Sequence, residues 1–252
     1  MASGNLSPRQ KMINMMYLVL TALLALNVSK EVLQSFFEVN QGIERMTTSF
    51  DAKNEETYNT FKEAATANAI KAGPFNKKAQ EVQGEADELV AFIQKMKYDL
   101  VFKADKETVY LGPESEFKDD DGKLIKEKAI TVPWEKLTEK QQVMSIGDLN
   151  AKDDRNSSGD LFWNDKTKSG IATELKEKML SYSKFITSLE VSDSLGNPIK
   201  LSQEAKNHYQ NIKNSINKVF SFKDRDIKGK KKKQKWEKYN FYDMPAVAAL
   251  TL

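Results

Sequence analysis

The chain has 252 residues, of which 40% are hydrophobic, and its 39 basic and 36 acidic side chains leave a formal net charge of +3. This length and apolar content are enough for one large domain or two small ones, and the nearly balanced charge argues against a general nucleic-acid-binding protein. The absence of cysteine excludes disulfides, zinc–thiolate sites and thiol catalysis. The single histidine, His208, excludes a histidine-rich metal site, and its polar helical surroundings favour an ordinary surface or bundle residue.

The first feature along the chain is an apolar run. Residues 12–28 carry no charged side chain and are flanked by Lys11 and Lys30. At 1.5 Å per residue the run extends roughly 26 Å, slightly less than a hydrocarbon core of ~30 Å, and flanking lysines can reach the interface. The alternatives are a core helix and a cleaved signal peptide, but LNVSKE offers a poor cleavage site. We predict an uncleaved transmembrane helix over residues 12–29.

The charges around this run predict its orientation. Arg9, Lys11 and the amino terminus precede it, whereas residues 30–51 carry charges of both signs. Positive charge favours the cytoplasmic side of a membrane. Residues 1–11 are therefore expected in the cytoplasm and everything after the span outside, which in a bacterium is the periplasm.

A polar stripe runs along the predicted span. Gln10, Asn14, Tyr17 and Thr21 are spaced four, three and four residues apart and so share one helix face. Polar groups within a membrane usually contact another protein helix, although Gln10 and Asn14 also fit the headgroup region. Arg9 at the cytoplasmic edge is either a topology signal or the partner of a carboxylate on a neighbouring span.

The apolar pattern continues beyond the span. Six apolar residues repeat at alternating spacings of four and three, which is typical of a helical packing seam; they are Val32, Phe36, Val39, Ile43, Met46 and Phe50. Such a seam packs either on its own domain or on a second copy of the chain.

The remaining pattern is mainly helical. We predict helices over residues 55–71, 75–100, 170–191 and 202–222, with Gly73-Pro74 as a helix boundary. Residues 105–169 contain turn signals, a short hairpin around Asp121-Gly122 and a polar, loop-like stretch. The aspartates of that stretch do not fit the EF-hand spacing.

The C-terminal part holds a lysine-rich run. Eight lysines and Arg225 fall within residues 223–238, which are expected to form a solvated loop or to touch an acidic partner. After it, YDMPAVAALTL begins like a helix and stops in mid-pattern, so we expect the chain to be a piece of a longer protein.

The expected architecture is a mainly all-α chain with one N-terminal transmembrane helix and a periplasmic helical bundle that carries a polar loop or small hairpin. Its expected divisions are a cytoplasmic N-terminus at 1–11, the span at 12–29, the bundle domain at 30–243, and the start of a connection to further domains at 244–252.

Two long motifs resemble one protein family. NLSPRQKMINMMYLVLTALLALNVSKEVLQSF is similar to the start of GldM proteins, called PorM in some lineages, and YNFYDMPAVAALTL resembles that family's first domain junction. The resemblance implies one span, a helical first periplasmic domain and later β-sandwich domains. It also implies a homodimer whose spans lie inside a ring of the polytopic protein GldL, in an inner-membrane motor that uses the proton-motive force.

The resemblance also assigns residues. Arg9 matches a membrane-edge arginine that is implied to pair with a glutamate of GldL, and Tyr17 matches a polar contact within the motor. Asn14 and Thr21 are added from the polar stripe alone. Val32, Phe36, Val39 and Ile43 are candidates for the dimer or bundle seam.

Three functions were compared. A motor component would power type IX secretion and gliding and pass motion across the periplasm to outer-membrane components. A non-energising scaffold or sensor is the alternative, although only about eleven residues precede the span and no output domain is expected there. No motif supports an enzyme, a cofactor or a metal site.

Overall fold

The computed structural model of the chain describes residues 7–112, 128–142, 145–193, 196–227 and 233–252. For residues 23–29, 128 and 140 it describes the backbone alone.

One long helix opens the fold. Helix α1 spans Pro8–Ala67, and its 60 residues extend ~90 Å at 1.5 Å per residue. It begins with a capping box, because the Ser7 hydroxyl accepts the Gln10 N–H while the Gln10 side chain accepts the Ser7 N–H. Pro8 follows at the first helical position, where its missing donor is not needed. The separate segments predicted between residues 12 and 67 therefore form a single helix.

The predicted helix boundary at Gly73-Pro74 is wrong. The chain turns at Asn68, whose backbone leaves the helical region at φ −149° and ψ 85°, and α2 then spans Ala69–Ala104. The Asn68 side chain accepts the Lys71 N–H at 3.0 Å and so caps α2. Pro74 lies within α2, near its N-terminal end. Pro74 lies near the boundary between the two helices, but the boundary itself falls at Asn68, whose side chain caps α2.

A small sheet follows the helical hairpin. Strands β1 (Val109–Leu111), β2 (Lys128–Ile130) and β3 (Ile146–Asp148) form an antiparallel sheet in the order β2-β1-β3. The turn predicted at Asp121-Gly122 lies outside the described residues, but the strands on its two sides pair in register, Val109 with Ile130. A 3-10 turn at Trp134–Lys136 and helix α3 (Glu139–Gln142) connect β2 to β3.

The stretch predicted as a polar loop contains a helix. Helix α4 spans Asn156–Phe162, and the Asp154 carboxylate accepts the backbone N–H groups of Asn156 and Ser157 at its start. Ser158 is fully buried, with its hydroxyl donating to the Phe241 carbonyl at 2.9 Å. The sequence did not predict this helix because short polar residues form much of it. The burial of Ser158 depends on Phe241, 83 residues further along the chain.

The C-terminal half adds four helices and a small hairpin. The predicted helices at 170–191 and 202–222 are confirmed as α5 (Ile171–Thr187) and α6 (Gln203–Val219). The lysine-rich run forms strands β4 (Arg225–Asp226) and β5 (Lys233–Gln234), which pair antiparallel, while residues 228–232 lie outside the described chain. Helices α7 (Trp236–Phe241) and α8 (Ala246–Thr251) close the chain.

The core lies where the C-terminal part of α2 meets the sheet and the short helices. Leu100, Val101 and Val109 are fully buried there. Residues 244–252, expected to begin a connection to further domains, contribute α8 to this core, with Ala246 and Val247 fully buried. In contrast, no residue between positions 41 and 95 is buried, so the far part of the α1–α2 hairpin is thinly packed. The mainly helical fold class is confirmed.

A polar clasp holds α1 against the domain. Asn40 is 1% exposed, and its amide donates to the Glu44 carboxylate at 3.2 Å. Lys97 of α2 donates to the same Glu44 oxygen at 3.1 Å, across 53 residues of chain. Phe37, one turn earlier on α1, is 4% exposed in the core. These contacts set the register of α1 on α2.

Replacing Tyr98 with phenylalanine should change how stability depends on pH. Burial, and secondarily the Asp99 charge, raises the pKa of Tyr98 to about 12, and its hydroxyl donates to the Val132 carbonyl at 2.6 Å. The folded state favours the neutral phenol more than the unfolded state does. The resulting contribution of Tyr98 to the free energy of unfolding is complete below about pH 10 and is lost as the pH rises to about 12. Urea unfolding should show that the free energy of unfolding falls less between about pH 8 and about pH 11 for Tyr98→Phe than for the unmodified chain. Tyr239→Phe, at an exposed ring, is the control, and equal losses in all three proteins would contradict the assignment.

Removing the Glu44 carboxylate should destabilise the domain. Glu44→Ala leaves the half-buried Lys97 ammonium and the buried Asn40 amide without their acceptor, so we expect a loss of about 1–3 kcal/mol in the free energy of unfolding. Glu81→Ala removes another Lys–Glu pair of α2, which is more exposed, and should cost less than about 1 kcal/mol. Denaturant unfolding of both variants measures the difference. Equal losses in the free energy of unfolding would show that the Lys97–Glu44 pair contributes no more than an exposed ion pair.

Candidate functional site

The predicted membrane-contact residues all lie on the N-terminal arm of α1. Every side chain from position 8 to position 22 is exposed, including Arg9, Asn14 and Thr21, and Tyr17 is 63% exposed. All four residues lie on this arm of α1.

Two members of the polar stripe are already hydrogen-bonded within the helix. The Thr21 hydroxyl donates to the carbonyls of Tyr17 at 2.8 Å and Leu18 at 3.0 Å, and Gln10 belongs to the capping box. Within the described residues, the side chains of Asn14 and Tyr17 make no such bond. Among the predicted contact residues, the groups available to a partner are therefore the Arg9 guanidinium, the Asn14 amide and the Tyr17 hydroxyl.

The structure bears on the predicted transmembrane helix. In the part of the chain that the structure describes, no helix has both the length and the apolar character needed to cross a membrane. Seven residues of the predicted span, 23–29, lie outside the residues whose side chains are described.

The seam of α1 faces away from its own domain. The exposed fractions of its side chains range from 41% to 58%; the residues are Val32, Phe36, Val39, Ile43, Met46 and Phe50. The positions that face the domain, Leu33, Phe37, Asn40 and Glu44, each follow a seam residue by one. One residue is a rotation of about 100° on a helix, so α1 carries two separate stripes.

The exposed seam has the character of an interaction surface. It extends over residues 32–50, roughly 27 Å of helix at 1.5 Å per residue. Soluble proteins rarely leave a contiguous apolar stripe uncovered, whereas alternating four-three spacing is the pattern by which two helices interdigitate. The sequence left two packings open; in the part of the chain that the structure describes, the domain does not cover the seam.

Sequence reasoning missed the inner stripe and the clasp. Asn40 and Glu44 interrupt the apolar pattern of that stripe, and Lys97 lies 53 residues further along the chain. The only local signal was the four-residue spacing of Asn40 and Glu44, which does not identify a third partner.

The chain was compared with known protein families and curated proteins. The family model described as the GldM N-terminal domain matches residues 31–123 and 134–252. No curated protein matches the chain. The matched residues include the seam, the clasp and the core, and they cover most of the sequence. The chain therefore belongs to the GldM family, whose members are inner-membrane-associated components of the gliding and type IX secretion machinery.

Proposed function

We propose that the chain is part of a motor in the inner membrane, driven by the proton-motive force, that powers type IX secretion and gliding. The observation that carries this proposal is α1, an unbroken helix that joins the exposed polar groups around Arg9 to a clasped domain more than 40 Å away, at roughly 1.5 Å per residue. Such a helix can pass displacement from one end to the other.

The proposal places residues 12–29 in the inner membrane, with the N-terminus in the cytoplasm and the rest in the periplasm. Lys11 and Lys30 flank the apolar run, and exposed apolar side chains surround α1 from Met12 to Leu20. Outside the polar stripe of Asn14, Tyr17 and Thr21, this exposed apolar surface is stable in lipid. The Thr21 hydroxyl, bonded to backbone carbonyls, is also satisfied without water.

Arg9 is proposed to exchange contacts with carboxylates of a GldL-type ring. A guanidinium at the membrane edge attracts an ionised carboxylate much more strongly than a protonated one, because the local dielectric is low. Proton transfer to and from the ring would therefore make and break the pairing. Tyr17 and Asn14 offer neutral hydrogen bonds on the same arm, which would guide the helix between successive positions.

The clasp would deliver this motion to the periplasmic domain. The Lys97–Glu44 hydrogen bond fixes α1 against α2, the Asn40 amide holds the Glu44 carboxylate in place within α1, and Phe37 fills the core beside them. Directional polar contacts resist sliding of one helix along the other better than apolar contacts do. The domain would therefore move with α1, which acts as a stalk. Further domains would transmit this motion to outer-membrane components of the secretion apparatus.

The seam is proposed to pair two copies of the chain. Two parallel α1 helices would bury the exposed stripe between them, in the manner of a coiled coil. A dimer stalk would be stiffer than a single helix and would present two Arg9 residues to the ring.

The pairing can be tested by disulfide cross-linking, since the chain contains no cysteine. Val39→Cys places a thiol at the centre of the seam, and we expect the oxidised full chain, extracted in mild detergent, to run as a covalent dimer. Arg45→Cys is the matched control, because Arg45 is exposed on another face of α1. Equal cross-linking of both variants would indicate random collision, and none in either would contradict a dimer through this seam.

The role of Arg9 can be tested in cells. Arg9→Ala should leave the complex with a small polytopic membrane protein intact but abolish gliding and type IX secretion. Lys11→Ala removes a nearby positive charge and should preserve both activities. Co-purification measures the complex, and motility and secretion assays measure function. Normal activity of Arg9→Ala would favour a non-energising scaffold, and loss of the complex would make Arg9 an assembly residue.

A further inference from the structure

A polar cleft lies between α4 and the turn that joins α7 to α8. Its volume is about 330 Å³, at the low end of the roughly 300–1,000 Å³ of small-molecule sites. The cleft is lined in part by Arg155, Asn156, Asn164, Lys166 and Tyr242. The proposed motor uses none of them.

We propose that this cleft binds a saccharide that carries a carboxylate. Sugar hydroxyls both donate and accept, so they pair well with planar amide and guanidinium groups. Asn156 is exposed at the cleft. The side-chain oxygen Oδ1 of Asn164 accepts the backbone N–H groups of Lys166 and Thr167, which leaves the two side-chain amide hydrogens of Asn164 to donate. The Tyr242 ring is 44% exposed, and the Lys238 ammonium lies over one face, 4.6 Å from the ring centre. The opposite face offers an apolar surface to a sugar ring.

The charges around the cleft favour an acidic ligand. Each of its three carboxylates is already paired: Asp160 with Lys103, Asp165 with Lys168 and Lys238, and Asp243 with Arg155. The Lys166 ammonium makes no ion pair within the described residues, and Lys235 nearby lies 5.4 Å from the centre of the Trp163 ring. The cleft therefore has unpaired positive charge and no unpaired carboxylate to repel an anion.

The walls of the cleft are held in place before any ligand arrives. Hydrogen bonds from Lys238, then from Lys168 and Trp163, keep the pKa of Asp165 well below its ordinary value, so this carboxylate ties the α4–α5 loop to α7 as an ion. On the other wall, Arg155 donates to the Asp243 carbonyl at 3.0 Å. Lys168 and Asp243 both have φ of 58°, a left-handed conformation that is uncommon outside glycine and often found at functional sites.

A glycine keeps one side of the cleft open. Gly159 lies on the cleft surface of α4, and a Cβ atom built there meets nothing within 4 Å beyond the neighbouring residues of its own helix. A larger side chain at this position would enter the cleft without displacing the backbone, and leucine is favoured over glycine within a helix. This position therefore allows the cleft to be filled while the fold is preserved.

The test is isothermal titration of the full chain in mild detergent with three probes. A disaccharide–peptide fragment of peptidoglycan has sugar and carboxylate, chitotetraose has sugar alone, and poly-glutamate has carboxylate alone. We expect the first to bind with defined stoichiometry, chitotetraose to bind about tenfold or more weakly for lack of the charged hydrogen bond, and poly-glutamate to leave the cleft empty. Lys166→Ala should remove most of the difference between the first two.

Matched variants locate the binding. Gly159→Leu should abolish it, whereas Gly84→Leu, at an equally open helical glycine on α2, should leave it unchanged. Tyr242→Ala, at an exposed side chain, provides a second loss variant, and thermal unfolding checks that all three fold. Binding that survives both Gly159→Leu and Tyr242→Ala would overturn the proposal. So would poly-glutamate that binds as well as the peptidoglycan fragment, because the lysine-rich run would then account for the affinity.

Discussion

The contact between Glu44 of α1 and Lys97 of α2 determines how the long helix sits on its domain. It lies beside the buried Asn40 and Phe37, so polar and apolar contacts select the same register. A shift of α1 by one residue would turn Phe37 out of the core and Val39 towards Asn40's place, because each residue rotates the helix by about 100°. Both the direction of the N-terminal arm and the outward orientation of the seam follow from this contact.

The molecule divides mechanical and packing roles between its two ends. Buried residues gather where α2 ends, around Leu100, Val101 and Val247, and none lies between positions 41 and 95. This well-packed region around the end of α2, the base of the molecule, transmits strain, whereas thinly packed helices open and bend at lower free energy. In the proposed motor, the base would therefore follow the stalk, while the far end of the hairpin could adapt to other parts of the machinery.

The saccharide cleft, if occupied, would give the same base a second role. The cleft is built on α4 and on the turn before α8, and α8 in turn packs against α1, where Thr251 approaches the Phe36 carbonyl at 3.4 Å. A ligand held there would be connected to the stalk through two short helices. A motor that performs work across the periplasm needs something to push against, and a polymeric glycan is one material that could resist that force.

The sequence by itself determined the helical class, the ends of α5 and α6 to within a few residues, the exposed polar groups of the N-terminal arm and the family. Those features depend on periodicity and on motifs that are local in the chain. Only the tertiary structure decided that Asn68 rather than Gly73-Pro74 separates α1 from α2, that α4 buries Ser157, Ser158 and Phe162, and that the seam faces away from the domain. Each of these depends on partners far apart in sequence, such as Ser158 with Phe241 or Glu44 with Lys97. A polar residue is buried only when such a partner satisfies it, and no local pattern records that partner.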